Sequence, residues 1–289
     1  MRHHLGSPGG WEREHSVPGR ECSQLPRRSS SRVTAWGSLG SERDTAMIGP
    51  LLKEWRTLRG KSQLALSLEA QVSARHLSFL ESGRSGASQE LVLRLAEALG
   101  LGLRDRNALL VAAGFAPQFG ERGWHSAELA EVRRAAGLIL ASHEPYPAIV
   151  VDSSSTVLEA NAGALAMMGQ PREALGQVNL MDLVFVPGPV RSAIGNWEEI
   201  AGYLLHRLRE GARMRGPRSP VASVLAHVLA QPGVEALTAL RPANAGSVLV
   251  PLTFTRDGAT THWYTTLTSF GAPQDALVEE ITIEQFHPM

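Results

Sequence analysis

Residues Lys61 to Arg84 read KSQLALSLEAQVSARHLSFLESGR, and the fold of the first structured part of the chain turns on them. Ser62 stands where an N-cap belongs, so a short helix is expected from Gln63, with Leu66 inward and Ala70 closing it. Val72 fills a tight turn, and Ser73 supplies the next N-cap. The second helix carries Leu77 and Leu80 three residues apart, on one side of the helix. Gly83 follows where a left-handed C-cap residue belongs. Helices this short cannot bury enough surface alone, so they must pack into a larger helical unit.

Working outward, Leu51, Leu52, Trp55 and Leu58 form the apolar stripe of a preceding helix. Ser88 caps a following one, with Leu91, Leu95 and Leu99 on one face and Gly100 at its end. A fifth helix is expected over about Arg104 to Ala113, stopping at Gly114. Five short helices around one core, residues 47–115, make a compact all-α domain. Two helices joined by such a turn form a helix-turn-helix, whose second helix fits a major groove about 12 Å wide. At 100° per residue Arg75 and Phe79 lie opposite the buried leucines, with Ala74 and His76 at the N-terminal edge. Arg75 suits a bidentate contact with guanine, and Phe79 or Ala74 suits a thymine methyl. Gln63 and the amides around Ser73 suit phosphates. Ser78 and Arg84 complete the candidate DNA-binding set.

The segment resembles the XRE/Cro-type repressors on Ser62-Gln63, Val72-Ser73 and the run from Leu77 to Gly83. That family usually has Gly in the turn where this chain has Gln71. A left-handed backbone there costs a non-glycine residue about 1 kcal/mol or more.

Length and composition set the frame. The chain's 289 residues suit about two domains, and 43% hydrophobic residues suffice for real cores. Cys22 is the single cysteine, which excludes an intramolecular disulfide and is the usage expected in a reducing cytoplasm. No apolar run approaches the roughly 20 residues of a membrane span. The zero net charge hides an asymmetry: residues 47–115 hold nine Lys/Arg against six Asp/Glu, whereas residues 116–289 hold twelve against seventeen. A mildly basic unit joined to an acidic one suits a DNA reader attached to a part that does not touch DNA.

Residues 1–46, rich in Gly, Ser, Pro and Arg without apolar period, are expected to be a disordered arm, or to precede a true start at Met47. Residues 116–125 lie in a Gly- and aromatic-rich linker or docking loop. A helix over about Ser126 to Ala141 turns Leu129, Val132, Ala136 and Leu140 inward. Then the period changes. Ala148 to Val151 and Val157-Leu158 read as a strand pair. Asn161 caps a helix over Ala162 to Met168 that Gly169 closes, and Pro171 to Gln177 forms a further helical turn. Two helices between Asn196 and Gln231 are interrupted at Gly216 to Pro220. Val248 to Thr255 and His262 to Thr268 flank a hairpin turn at Arg256-Asp257-Gly258, and Ile281 to Phe286 adds a last strand.

This order looks like a PAS-type sensor, an α+β fold, over residues 126–289. HEPYPAIVVD, the Asn161 helix, VNLMDLVF, the Asn196-Trp197 helix, VPLTF and the closing run from Thr266 are similar to the MmyB-like ligand-binding domain. Members of that family pair it with an XRE-type domain in this order. The resemblance implies a pocket for a small apolar, fatty-acyl type ligand, walled by residues such as Ile149, Val151, Leu165, Met168, Phe185 and Leu204. The alternative is that these residues simply form a core and the domain serves dimerisation. A Trp usual near the first turn is Ser155 here; if that ring lines the family's pocket, this ligand differs.

No other chemistry competes. The ten histidines are scattered, with no H-E-x-x-H; Gly100-x-Gly102 follows a helix and lacks a third Gly; Ser219 and Ser223 lack a G-x-S-x-G setting. No catalytic residue, metal or cofactor is expected. The expectation is a cytoplasmic transcriptional regulator that binds a palindromic double-stranded operator as a homodimer, through the Ser126 helix or the sensor, and is tuned by a small apolar ligand. The rival class is a small-molecule binding or protein-interaction module whose helical domain is an adaptor. A salt titration of DNA binding separates the two.

Overall fold

The computed structural model describes residues 45–237 and 249–289. The arm expected at residues 1–46 therefore lies outside the described residues up to 44, and the first helix begins two residues before Met47.

Five helices form first: α1 (Thr45–Leu58), α2 (Gln63–Glu69), α3 (Ala74–Glu81), α4 (Gln89–Ala98) and α5 (Leu103–Ala112). Serine side chains start three of them, since the Oγ atoms of Ser62, Ser73 and Ser88 accept from the amides of Ala65, His76 and Leu91. Their buried leucines, Ile48 and Trp55 share one core. Gly49 lets α1 approach the end of α3 closely: a Cβ there would fall 2.6 Å from the Glu81 carbonyl oxygen. Gln71 takes the left-handed conformation that the turn demands, with φ of 52°.

The connecting segment is docked rather than free. Asn107, buried in α5, accepts from the amides of Gln118 and Phe119 at 3.0 Å each and donates to the Phe119 carbonyl at 2.9 Å. Trp124 is buried against α6 (Ala130–Ser142), which a 3₁₀ turn at Ala127–Leu129 precedes.

The remaining elements are β1 (Ala148–Val151), β2 (Val157–Ala160), α7 (Ala162–Met168), α8 (Leu180–Phe185), α9 (Pro189–Ala193), α10 (Trp197–Arg215), α11 (Pro220–Leu229), α12 (Val234–Leu237), β3 (Leu252–Arg256), β4 (Ala259–Thr268), α13 (Ala276–Glu280) and β5 (Thr282–Pro288). The strands form one antiparallel sheet in the order β2-β1-β5-β4-β3, a PAS-like arrangement. The last strand is thus central, pairing Ile149 with Glu284 on one side and Leu267 with Glu284 on the other. Asp257 and Gly258, both at positive φ, make the hairpin turn between β3 and β4. The strand expected from Val248 starts at Leu252, and Val248 itself lies outside the described residues.

Each face of the sheet has a different cover. Ala148, Val150, Ile281 and Ile283 pack on Ala136 and Leu140 of α6, which occupies the apolar stripe of that helix. The other face meets α7 to α11, and there the packing is incomplete.

Candidate DNA-reading surface and ligand cavity

The recognition helix α3 is held from behind. Leu77 and Leu80 are fully enclosed, and Glu81, one turn beyond Leu77, points inward with them. The Arg56 guanidinium grips its carboxylate through Nε at 2.6 Å and Nη2 at 2.9 Å, and the Gln63 amide donates to the same group at 2.8 Å. Burial works against ionisation of Glu81, but those hydrogen bonds outweigh it and hold the carboxyl below the usual carboxylate range. One carboxylate thereby ties α1, α2 and α3 together. Its inward 100° position beside Leu77 and Leu80 was the available sequence signal.

The outward strip of α3 holds Ala74, Arg75, Ser78 and Phe79. Arg75 is exposed, its guanidinium carbon 5.3 Å from the centre of the Phe79 ring, so the ring carries the cation along the helix surface. Arg84 is exposed just past the helix, and neither arginine forms an ion pair among the described residues. The Ser73 hydroxyl is engaged by the His76 amide at 3.1 Å. His76 departs from the expected edge position: its Nε2 is buried without a partner, so the ring lies against the protein. Gln63 donates one amide hydrogen to Glu81 and retains a second N–H donor.

The second site is a cavity of about 110 Å³, open to solvent, between the sheet and the helices above it. Its floor is the β-sheet face carrying Ile149, Trp263, Glu284 and Phe286; its roof comes from α7, α8 and α10. Of the expected wall residues, Ile149, Met168 and Leu204 line it. Val151, Leu165 and Phe185 do not. Val151 follows a register shift in the β1–β2 pairing and packs beside Leu165 in the layer around Val157, while Phe185 is wholly enclosed among the helices. The polar residues Glu284, Arg207 and Thr265, which also line the cavity, escaped the sequence reading.

The two sites meet through α10. Its middle turns give Tyr203, Leu204 and Arg207 to the cavity. At its end the Met214 carbonyl accepts from Arg59 of α1 at 2.6 Å, and Arg215 reaches Glu280 at 3.0 Å. Glu280 is buried and also binds Arg104 of α5 at 3.1 Å and the Ser153 hydroxyl at 3.0 Å. Beside this cluster burial raises the Asp105 carboxyl to about 6, against the pull of Arg215. The Leu103 amide donates to Glu279 at 2.6 Å, and Arg218 pairs with Glu54.

An all-α helix-turn-helix unit joined to a PAS-like sensor is the class these features define. A helix-turn-helix family model matches residues 52–105, and the model for the MmyB-like transcription regulator ligand binding domain matches residues 132–289, more than half of the chain. The chain belongs to the MmyB-like transcription regulator family. It is a DNA-binding transcription regulator with a ligand-binding domain, and these families are regulators rather than enzymes. Among solved structures, the restriction-modification controller protein C.AhdI from Aeromonas hydrophila is 30% identical over 22% of this chain and 96% of its own, with a TM-score of 0.21. The clp gene regulator ClgR from Corynebacterium glutamicum is 30% identical over 25% and 88%, with a TM-score of 0.22. A PAS domain of an HTR-like protein from Haloarcula marismortui is 13% identical over 55% and 97%, with a TM-score of 0.23. No curated protein is significantly similar to the chain. Among the described residues no helix is long and apolar enough to cross a membrane.

Proposed function

We propose that the protein acts in the cytoplasm as a homodimer, reads a palindromic operator with two copies of α3, and changes its operator affinity when a small apolar, acyl-type ligand fills the sensor cavity. The observation that supports this reading is the double role of α10, which lines the cavity with its middle and with its end holds α1 directly and α5 through Glu280 of α13. A ligand acts only by binding one arrangement of the two parts better than another. Repacking of Tyr203 and Leu204 around it would be passed to the helix-turn-helix through the Met214–Arg59 and Arg215–Glu280–Arg104 contacts. Two heads would engage half-sites about 34–36 Å apart, or a multiple of that.

Genomic fragments captured by the purified protein supply the operator, and its affinity is then measured across salt with and without a lipid extract. The expected results are a steep salt dependence, an optimum of half-site spacing, and a shift in affinity on adding the extract. Glu280→Gln should reduce that shift while leaving ligand uptake intact. Arg75→Ala should cost about 1–3 kcal/mol on the operator and relax preference at one base pair, whereas Gln63→Ala should weaken all sequences alike. A strict monomer, or an affinity that no extract alters, would end the coupling part of the proposal.

A further inference from the structure

We infer that the sensor cavity recognises an apolar ligand bearing an acceptor oxygen, a carbonyl or a hydroxyl, and holds that oxygen by a hydrogen bond donated from the Glu284 carboxyl group. This rests on the cavity being the ligand site, and it narrows the ligand from apolar to oxygen-bearing.

Glu284 lies in the central strand β5, opposite Ile149 of β1 and Leu267 of β4. Residues directly opposite on neighbouring strands share a face of the sheet, so two apolar side chains flank the acid. It lines the cavity floor with Ile149, Trp263 and Phe286, and only 9% of it is exposed. Among the described residues its carboxyl group makes no hydrogen bond and no ion pair. A buried polar group without a partner is costly, and nearly all such groups in folded proteins have one. The partner of Glu284 therefore comes from what the cavity admits.

The rest of the lining leaves this role to Glu284. Tyr203 and Arg207 are the other ionisable residues that line the cavity, and both are exposed on α10. Thr265 is exposed as well, and the Trp263 indole N–H is already donated to the Thr261 hydroxyl at 2.8 Å. Burial raises the Glu284 carboxyl above the usual carboxylate range, with a smaller pull from Arg207 in the other direction. That direction favours the protonated form, and a protonated carboxyl has an O–H to donate. The chemistry of the ligand follows from that donor. A saturated chain leaves the O–H unpartnered, whereas an oxygen placed over the floor accepts from it. A carbonyl can only accept, while a hydroxyl both accepts and donates. A ketone is therefore the ligand that reads the proton on Glu284.

The test uses the full chain and a neutral fluorescent probe, N-phenyl-1-naphthylamine, displaced by octan-1-ol, octan-2-one and 1-chlorooctane. All three competitors are uncharged, so Arg207 forms no ion pair with any of them. The affinity of each oxygenated ligand is taken relative to the chloroalkane, and that ratio is compared between wild type and variants, which cancels the ligands' differing hydrophobicity. Glu284→Leu should lower the ratio about fivefold for the alcohol and the ketone alike, the size of one hydrogen bond between uncharged groups. Glu284→Gln keeps an uncharged donor in the same place and should keep both ratios. Ratios unchanged by Glu284→Leu would overturn the inference. So would a loss confined to the alcohol, the mark of an ionised carboxylate that only accepts, or a ketone that loses as much in Glu284→Gln as in Glu284→Leu. Leu204→Trp, which fills the cavity, is the control for the site itself. A probe that fails to bind wild type, or binds Leu204→Trp equally well, removes the ligand-site reading and this inference with it.

Discussion

Two glutamates, each 9% exposed, sit in the two halves of this molecule and meet opposite conditions. Glu81 in the DNA-reading half is clamped by Arg56 and Gln63. Glu284 in the sensor half has no such clamp among the described residues. The difference reflects what each half must do. On the proposed reading α3 has to present Arg75 and Phe79 at a fixed angle, and the charge behind it is fully satisfied and acts as a three-helix tie. A sensor has to gain something when ligand arrives, so part of its interior is left unfilled. The same chemical group thus marks a finished core in one region and an unfinished one in the other.

The largest effect should come from breaking the finished side. Arg56→Met removes the guanidinium but leaves Glu81 buried, which should cost about 3 kcal/mol, because an uncompensated buried charge is worse than none. Urea unfolding would read the loss, and operator affinity should fall with it. If stability were unchanged, Glu81 would have to be reaching water, and the contrast with Glu284 would collapse.

How much of this was legible in the residues follows from range. The caps at Ser62, Ser73, Ser88 and Asn161 and the left-handed glycines at 83, 100, 114 and 169 are decided by neighbours within four positions, so the letters sufficed. The outward positions of Arg75 and Phe79 follow from helix periodicity alone. The place of β5 does not: its partners in β1 are more than a hundred residues away, and nothing local says that a final strand is central. For that reason Glu284 was missed. A lone acid in TIEQF reads as a solvent-facing strand position until both flanking strands and α10 are known. Phe185 failed in the opposite direction, since apolar composition could not say which residues would be core and which would face a void.

A smaller effect is expected from filling the unfinished side. Glu284→Leu replaces an unpartnered carboxyl by a side chain of similar size and should raise stability by about 1–2 kcal/mol. The acid limb of the pH profile distinguishes the two glutamates by sign. Glu81, held below the usual range, contributes stability that is present above its unfolded value and lost as pH falls through its lower folded value. Glu284, held above the usual range, binds its proton more tightly when folded, so stability falls as pH rises from its unfolded value toward its folded one. Glu284→Gln should therefore flatten a decline, and Glu81→Gln should flatten a rise. Two slopes of the same sign would refute the comparison.

The smallest effect concerns two turns, one in each half, that hold non-glycine residues at positive φ: Gln71 at 52° and Ser155 at 65°. Gln71 joins α2 to α3 with little local support beyond its backbone, whose amide donates to the Leu68 carbonyl at 3.2 Å. Ser155 is better held. Its amide donates to the Asp152 carbonyl at 3.0 Å, its own carbonyl accepts from Leu180 at 2.8 Å, and the Asp152 carboxylate accepts from the amides on either side of it. Glycine at either position relieves the left-handed strain but also gives the unfolded chain more freedom, so the net gain stays near or below the strain itself. Gln71→Gly should stabilise the protein by at most about 1 kcal/mol, seen as a modest rise in melting temperature with operator preference unchanged. Ser155→Gly should give less, since the surrounding hydrogen bonds already hold that backbone in place. A loss at Gln71 would mean that its side chain does something in the turn that its exposed position in the structure does not account for.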